Sequence, residues 1–319
     1  MLLGPTALSM SGIICLTPLL SRFLRFALVP IWNFFGLDAG LLAGILAIDM
    51  GGYQLAGELS ASQEMVRYAG LVIAATLGCT ITFTIPVGMG MLKSGDRLLF
   101  SRGMLIGTGT LPVTMIVGGL LSGLSFLQIV LQSLPVLLFC FLLMFGIWRF
   151  PEQTVRAFTV FADVIRLLTT IGLIAGAFCY MTGFSLLPDL APLEDAMAVV
   201  SSIGIVLLGS LPTAELLQRV LKKPLSFIGR KTGMNDSSAA GLLMGIVSPV
   251  PAITMMEKMD ERGKIVNAAF LVSAASTIAA HMGFTFGTDP DFVVPLLVAK
   301  LAGGIAAVCA ALFFTKKSA

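Results

Sequence analysis

Charged side chains are scarce in this sequence. Asp, Glu, Lys and Arg together make up 12% of its 319 residues, whereas 57% of the residues are hydrophobic. Soluble globular domains carry about 25% charged residues. This deficit, together with repeated long apolar runs, argues against a soluble domain and predicts an all-α polytopic membrane protein embedded in the lipid bilayer.

The residue types that bind metals and carry much of catalysis are also rare. The chain has one histidine and five cysteines, and the cysteines are scattered without a CxxC pair. Neither an HExxH motif nor a phosphate-binding P-loop occurs. We therefore predict no cofactor, no metal site and no ATP-driven pump. The net charge of +3 comes from basic residues spread over the loops, which argues against nucleic acid as a partner.

Eight apolar runs are long enough to cross the hydrocarbon core of a membrane, which takes about 20 helical residues. They are Leu2–Leu20, Val66–Leu92, Leu98–Leu121, Phe126–Trp148, Phe158–Met181, Ala196–Val220, Lys264–Phe286 and Phe292–Phe314. Between the first two runs, Ser21–Gly36 mixes arginine, aromatic and proline residues, so we expect it to lie in the membrane interface.

Two further apolar segments contain residues that break a helix. Leu37–Glu58 carries Asp49 in its middle, followed directly by two glycines. Asn235–Met256 contains a Ser-Pro-Val-Pro sequence that starts at Ser248, and proline cannot continue a regular helix. Non-helical backbone survives at membrane depth only where protein or a cavity surrounds it. Both segments are therefore predicted to form re-entrant or broken helical hairpins.

The loop charges predict the orientation, because basic loops stay in the cytoplasm. Asn235–Met256 has basic loops at both ends, so it should enter the membrane and return. Leu37–Glu58 either crosses or re-enters from outside, and re-entry would place Arg22 and Arg25 outside, against the rule. The basic loops are 219–231 and 257–264, and the acidic loops are 182–195 and 287–291.

An internal repeat supports the paired hairpins. AGLLAGI at Ala39–Ile45 matches AGLLMGI at Ala240–Ile246, and LVIAA at Leu71–Ala75 matches LVSAA at Leu271–Ala275. Inverted repeats with discontinuous helices are a recurring plan of secondary transporters. We predict one transmembrane domain, 1–319. It is divided into a first repeat unit at 1–122, connecting helices at 123–194 and a second repeat unit at 195–319.

The predicted binding residues lie at the two helix breaks. A carboxylate at membrane depth marks a site by default, so Asp49 is the predicted counter-charge for a cation or proton; capping of the following helix is the alternative. Gly51 and Gly52 let backbone approach a ligand. Ser248 and Pro249 are predicted to form the opposing tip, where unpaired backbone carbonyl groups and the Ser248 hydroxyl face a small polar ligand. The alternative is a kinked helix that binds no ligand.

Three polar side chains in the later spans are further candidates. His281, the only histidine, could relay a proton or bind a substrate hydroxyl, and a structural role fits equally well. Asn267 is predicted to face the same interior, although hydrogen bonding between helices is its commoner role. Lys300 lies deep within the last span, where it either snorkels, pairs or takes part in coupling.

Several stretches together resemble the bacterial ethanolamine permeases. LAIDMGGYQLAGEL at Leu46–Leu59 is similar to the DMGG segment of that family, and MMEKMDERGKIVNAAFLVSAAS at Met255–Ser276 is similar to its MD-RGK-N segment. The likeness extends to FTIPVGMG at Phe83–Gly90, to Ser94–Arg97, to KKPL at Lys222–Leu225 and to HMGF at His281–Phe284. It implies transport of ethanolamine across the bacterial inner membrane without a covalent cofactor.

The sequence departs from the family pattern at three places. Ser248 and Pro249 stand where the family has an asparagine pair, and Ala280 stands where it has an acid before the histidine. Compared with the family, we also expect a leading hydrophobic helix to be missing, or the first residue to be mis-set. If these groups touch substrate, the solute is a different small amine or hydroxylated molecule.

Three functions remain as hypotheses. The first is a facilitator or secondary transporter of ethanolamine, with Asp49 binding the ammonium group and Ser248, Asn267 and His281 as hydroxyl partners. The second is a transporter of another polar solute such as a nucleoside. The third, a membrane enzyme acting on a lipid headgroup, is disfavoured because Asp49 has no acidic partner at helical spacing. The oligomeric state stays open.

Overall fold

The computed structural model describes residues 3–46 and 52–315, and helix is the only regular secondary structure in that part of the chain. The helices of the first half are α1 (Leu3–Ala27), α2 (Val29–Phe34), α3 (Leu41–Ile45), α4 (Gly52–Leu59), α5 (Gln63–Met91), α6 (Ser94–Leu121) and α7 (Phe126–Arg149). The helices of the second half are α8 (Pro151–Thr182), α9 (Leu193–Thr232), α10 (Asp236–Val247), α11 (Pro249–Met255), α12 (Glu261–Thr288) and α13 (Pro290–Phe314).

Six helices of the described residues are long and apolar enough to cross a membrane, namely α5, α6, α7, α8, α12 and α13. They coincide with six of the eight predicted spans. The other two predicted runs are also helical, since α1 covers the first and α9 contains Ala196–Val220. The prediction of an all-α polytopic membrane protein is confirmed.

The two helices that follow the predicted hairpins, α5 and α12, form the centre of the molecule and are mostly buried, whereas most of α8 is exposed. Small residues bring α6 close to α12. A Cβ atom on Gly103 would lie 2.4 Å from the carbonyl oxygen of Ile265, and one on Gly107 would lie 2.4 Å from that of Ala269. Close backbone approach at small residues is how membrane helices gain packing without a hydrophobic driving force between them.

Both central helices depart from α-helical geometry near their middle. In α5, Tyr68–Gly78 and Thr80–Thr84 are π-helical. In α12, the helix breaks at Ala275 and Ser276, and Ser276 adopts a left-handed conformation with φ of 56°. Wide turns and strained residues of this kind concentrate at functional positions.

The loop contacts bear on the predicted course of Leu37–Glu58. Arg22 pairs with Asp189 of the acidic loop 182–195 at 2.6 Å, and Arg25 donates to the carbonyl oxygen of Glu58. The two arginines therefore lie on the same side as the loops that are predicted to be outside. This arrangement favours re-entry of Leu37–Glu58 over crossing, although it places the basic residues Arg22 and Arg25 outside, against the rule that basic residues stay in the cytoplasm.

Candidate functional site

The first hairpin, formed by α3 and α4, is closed at its base by Asp38. One carboxylate oxygen of Asp38 accepts from the N–H of Gly40 at 2.8 Å, and the other accepts from the N–H of Ala61 at 3.0 Å. A Cβ atom on Gly40 would lie 1.7 Å from the hydroxyl oxygen of Ser60, so glycine allows the two ends to meet. The segment thus returns to the side from which it starts.

The predicted tip of the first hairpin falls partly outside the described residues, which leave out Asp49 and Gly51. Gly52 is described: it is buried at the start of α4. A Cβ atom on Gly52 would lie 3.0 Å from the Cβ atom of Ala74 in the π-helical part of α5. The start of α4 therefore packs directly on the irregular part of the central helix.

The second hairpin breaks where the prolines predict. Ser248 separates α10 from α11 in an extended conformation, with φ −158° and ψ 136°, and Pro249 is the first residue of α11 and is buried. The N–H of Asn235 donates to Asp260 at 2.8 Å, and the amide group of Asn235 donates to the carbonyl oxygen of Lys258 at 2.9 Å. The chain therefore reverses at Ser248, and both ends of the hairpin lie together.

Asp260 connects the base of the second hairpin to α12. It accepts from the hydroxyl of Ser238 at 2.6 Å and caps the start of α12 through the N–H of Gly263 at 3.1 Å. Burial acts to raise the pKa of Asp260, but the hydrogen bonds from Ser238, Asn235 and Gly263 outweigh that effect. The pKa of Asp260 consequently lies below its usual value.

Each hairpin contacts the irregular part of the central helix in its own half of the chain. The first hairpin does so through Gly52 and Ala74. In the second half, the N–H of Ser276 donates to the carbonyl oxygen of Gly245 in α10 at 3.1 Å, and this bond helps to hold the left-handed residue in place. Each hairpin thus packs against the irregular stretch of a central helix.

Two basic side chains bind carbonyl oxygens at the corresponding positions of the internal repeat. The Lys300 ammonium group donates to the carbonyl oxygen of Ala75 at 2.6 Å, and His281 Nδ1 lies 3.1 Å from the carbonyl oxygen of Ala275. Since a carbonyl oxygen can only accept, the histidine contact places the proton on Nδ1. Lys300 is fully buried and His281 is 2% exposed, so both polar groups lie inside the protein.

Asn267 takes a different position from the one expected of a ligand-binding residue. Its amide nitrogen donates to the carbonyl oxygens of Ser238 at 2.8 Å and Gly263 at 2.9 Å, which joins α12 to the base of the second hairpin. This is the hydrogen bond between elements that the sequence offered as the alternative. The Asn267 Oδ1 atom is buried without a hydrogen-bond partner. Contact between Asn267 and substrate stays a prediction.

Polar contacts also join the two halves of the chain across the centre. The hydroxyl of Thr80 donates to the carbonyl oxygen of Val272 at 3.2 Å, and the hydroxyls of Thr114 and Ser273 lie 2.9 Å apart. The hydroxyl of Thr82, by contrast, donates to the carbonyl oxygen of Gly78 in its own helix. Thr80 therefore joins α5 to α12, whereas Thr82 does not.

An ion pair lies at each end of the central helices. Arg67, near the start of α5, binds Asp289 between α12 and α13, with Nε 2.6 Å from Oδ2. Lys264, near the start of α12, binds Asp96 in the first turn of α6 at 2.5 Å. The sequence analysis missed both pairs. The available signal was the repeated position of a basic residue shortly after each hairpin and an acid shortly after each central helix.

The described residues offer little for other chemistry. No group of three His, Cys, Asp or Glu residues within them lies close enough together to hold a metal ion. A surface cavity of about 320 Å³ lies beside α8, lined by Gly176, Cys179, Tyr180 and Glu194 among others, away from both hairpins. The π-helical stretch around Ala75 and the helix break at Ala275 are therefore the better candidate site.

Comparisons with known proteins agree with this architecture. The family model for the ethanolamine utilisation protein EutH matches residues 1–314. The chain is 38% identical over 318 residues to the "Probable ethanolamine permease EutH" of Listeria monocytogenes, covering 99% of this chain and 85% of that protein. It is 34% identical over 342 residues to the protein of the same name from Escherichia coli, covering 99% and 84%.

A third relative carries no functional name. The "Uncharacterized protein YxeR" of Bacillus subtilis is 33% identical over 314 residues, covering 98% of this chain and 85% of that protein. No solved structure matches the chain. Since the family model and the relatives extend over nearly the whole sequence, the chain belongs to the EutH family of ethanolamine utilisation proteins.

Proposed function

We propose that this membrane protein transports protonated ethanolamine across the bacterial inner membrane, as a facilitator or secondary transporter. The family assignment carries the proposal, because two relatives that span nearly the whole chain are named as probable ethanolamine permeases. A permease moves its solute unchanged, so no enzymatic role is proposed. The solute is a small cation with one hydroxyl, and transport needs a polar site that the bilayer does not provide.

The proposed site lies near the bilayer midplane, between the two hairpins. Asp49 supplies the negative charge for the ammonium group, with Gly51 and Gly52 beside it. Ser248, Pro249, Asn267 and His281 complete the set on the second hairpin and α12. The packing of Gly52 on Ala74 and the bond between Ser276 and Gly245 support this location, since each hairpin meets a break in a central helix.

The proposal includes two inverted repeat units, 1–122 and 195–319, joined by the helices of 123–194. Each proposed unit holds a long helix, a hairpin, a buried central helix and a further span in the same order. Such repeats allow one half to rock against the other, so that the site opens to each side in turn. The ion pairs Arg67–Asp289 and Lys264–Asp96 would then hold the two sides closed.

Uptake of labelled ethanolamine tests the proposal. The assay uses a low concentration at mildly acidic pH, where little of the neutral base diffuses through the membrane. We expect Asp49→Asn to abolish uptake. Asp163→Asn is the matched control, because Asp163 is an exposed carboxylate that pairs with Arg166 at 3.3 Å on α8. Normal uptake by Asp49→Asn would remove the central assignment.

A second solute class follows from the departures at Ser248, Pro249 and Ala280. A permease with the same hairpins could carry another small amine or a polar solute such as a nucleoside. Competition distinguishes the two. Unlabelled ethanolamine should displace the labelled compound at the lowest concentration, whereas a nucleoside that displaces it more effectively would reassign the substrate.

A further inference from the structure

Lys300 is a buried cation for which the transport proposal has no role so far. It lies within α13, roughly 15 Å along the helix axis from the start and 20 Å from the end. Its side chain is fully buried, so it does not snorkel to either membrane surface. A charged group at such depth is costly, and in membrane helices it marks a functional position.

The ammonium group of Lys300 lies at the irregular part of the first central helix. It donates to the carbonyl oxygen of Ala75 at 2.6 Å, within the π-helical stretch of α5. The preceding residue, Ala74, contacts Gly52 at the start of α4. Lys300 therefore reaches the place where the first hairpin meets the central helix.

The turn of α13 that follows Lys300 lies close to the break in α12. One helical turn further along α13, a Cβ atom on Gly303 would lie 2.8 Å from the hydroxyl of Ser273, and one on Gly304 would lie 2.8 Å from the Cβ atom of Ala274. These residues immediately precede Ala275, whose carbonyl oxygen is bound by His281. The Lys300 side chain thus contacts the π-helical stretch of α5, while the next turn of α13 packs against the residues that precede the break in α12.

We propose that Lys300 is a resident ammonium group that holds the binding position of the transported ammonium, and that substrate must displace it. The inference rests on the proposed function. The Lys300 headgroup and the headgroup of protonated ethanolamine are both –NH₃⁺ on a CH₂ carbon, with three N–H donors. A buried carbonyl oxygen that accepts from one can accept from the other.

Displacement also defines the substrate class. A quaternary ammonium has no N–H donor and cannot replace the hydrogen bond that Lys300 donates to the Ala75 carbonyl oxygen, and loss of a buried hydrogen bond from a charged donor is costly. The site should therefore select small primary ammonium compounds over their fully methylated counterparts. The protein would distinguish ethanolamine from choline-like cations by donor count and not by charge alone.

Binding of simple ammonium probes to the purified full-length protein tests this proposal. Ethylammonium carries the N–H donors without the hydroxyl, and tetramethylammonium carries the charge without donors. Lys300→Met removes the resident ammonium while it keeps side-chain length. We expect ethylammonium to bind Lys300→Met about tenfold or more tightly than wild type, because a competing occupant no longer reduces the available fraction of sites. Tetramethylammonium should gain little.

Lys231→Met is the matched control, since Lys231 is an exposed lysine at the end of α9. It should bind ethylammonium like wild type. Equal affinity of Lys300→Met and wild type for ethylammonium would overturn the proposal. An equal gain for both probes would also overturn it, because removal of a positive charge would then explain the result without competition for a carbonyl oxygen.

A variant that fails to fold would be replaced by Lys300→Leu, which likewise removes both the charge and the N–H donors. Its gain for ethylammonium should still exceed its gain for tetramethylammonium, and equal gains would contradict the proposal. Failure of the transport function has a different signature. In that case wild-type protein takes up no ethanolamine, whereas failure of the present inference leaves uptake intact and the affinities unchanged.

Discussion

Arg67 binds both carboxylate oxygens of Asp289, with Nε–Oδ2 at 2.6 Å and Nη2–Oδ1 at 2.9 Å. The hydroxyl of Tyr53 in the first hairpin lies 3.4 Å from the same carboxylate, and the guanidinium group lies 5.5 Å from the ring centre of Phe292. Asp289 is 7% exposed. This pair therefore connects the first hairpin and α5 to the segment that leads into α13.

Loss of the Asp289 carboxylate should destabilise the protein. Asp289→Asn leaves the Arg67 guanidinium partly buried without its counter-charge, which costs about 3 kcal/mol for a buried pair. Thermal unfolding in detergent measures the effect. Asp291→Asn, at an exposed acid two residues away, should change stability little. If the exchanged pair, Arg67→Asp with Asp289→Arg, restores thermal stability, the loss in Asp289→Asn is due to the ion pair. An equally large loss in the exchanged variant would contradict that assignment.

The two ion pairs should affect transport in opposite directions. Asp289→Asn breaks the ion pair on the side predicted to be outside, and Asp96→Asn breaks the ion pair on the cytoplasmic side. The fraction of outward-open protein should therefore rise in the first variant and fall in the second. Apparent affinity scales with the binding-competent fraction. Half-saturation for external ethanolamine should fall about threefold in Asp289→Asn and rise about threefold in Asp96→Asn. If half-saturation changed in the same direction in both variants, the two ion pairs would not control the two sides separately.

The contact of α13 with α6 and α12 should tolerate no added methyl group. A Cβ atom on Gly303 would lie 1.7 Å from the hydroxyl oxygen of Thr114 and 2.8 Å from that of Ser273. Gly303→Ala should lower stability by about 2 kcal/mol through overpacking. Gly57→Ala is the control, because Gly57 is an exposed residue of α4 and nothing lies within 4 Å of its added Cβ atom. It should raise stability by up to about 1 kcal/mol, as Ala favours helix.

The base of the second hairpin should weaken when Asp260 is neutralised. Asp260→Asn removes the charged acceptor for Ser238, Asn235 and Gly263, and should lower stability at pH 7 by about 1–2 kcal/mol. Asp236→Asn, at an exposed acid nearby, provides the comparison. Because folding lowers the pKa of Asp260, its contribution is complete above the unfolded-state pKa of about 3.9 and is lost as pH falls through the lower folded-state pKa.

Unfolding measured between pH 7 and pH 3 checks that sign. The difference between wild type and Asp260→Asn should be constant down to about pH 4 and shrink below it. A difference that shrinks already between pH 7 and pH 5 would show that a group other than Asp260 controls the hairpin base.

The parts of this fold that could be predicted depend on local sequence signals. Long apolar runs predicted the spans, and the prolines at 249 and 251 predicted the break after Ser248, because proline removes a donor wherever it occurs. Gly118 and Gly119 allow close packing of α6, since added Cβ atoms would lie 2.5 Å from Val72 and 2.6 Å from Ile129.

The features that sequence reasoning missed depend on contacts between distant residues. Arg67 and Asp289 are separated by 222 positions, and Lys264 and Asp96 by 168. The break at Ser276 has neither glycine nor proline to announce it, and the carbonyl oxygen of Gly245 on another helix helps to hold it. A tertiary contact also gave Asn267 the carbonyl oxygen of Ser238 as an amide partner, which a helical period alone does not reveal.

The bonds at the hairpin bases have a consequence for how the protein is made. Asp38 reaches Ala61 across 23 positions, and Asn235 reaches Asp260 across 25. Ring closure over such short stretches carries a small entropic cost. The base of each hairpin can therefore close soon after the ribosome has synthesised it, before the helices that later enclose the hairpin exist.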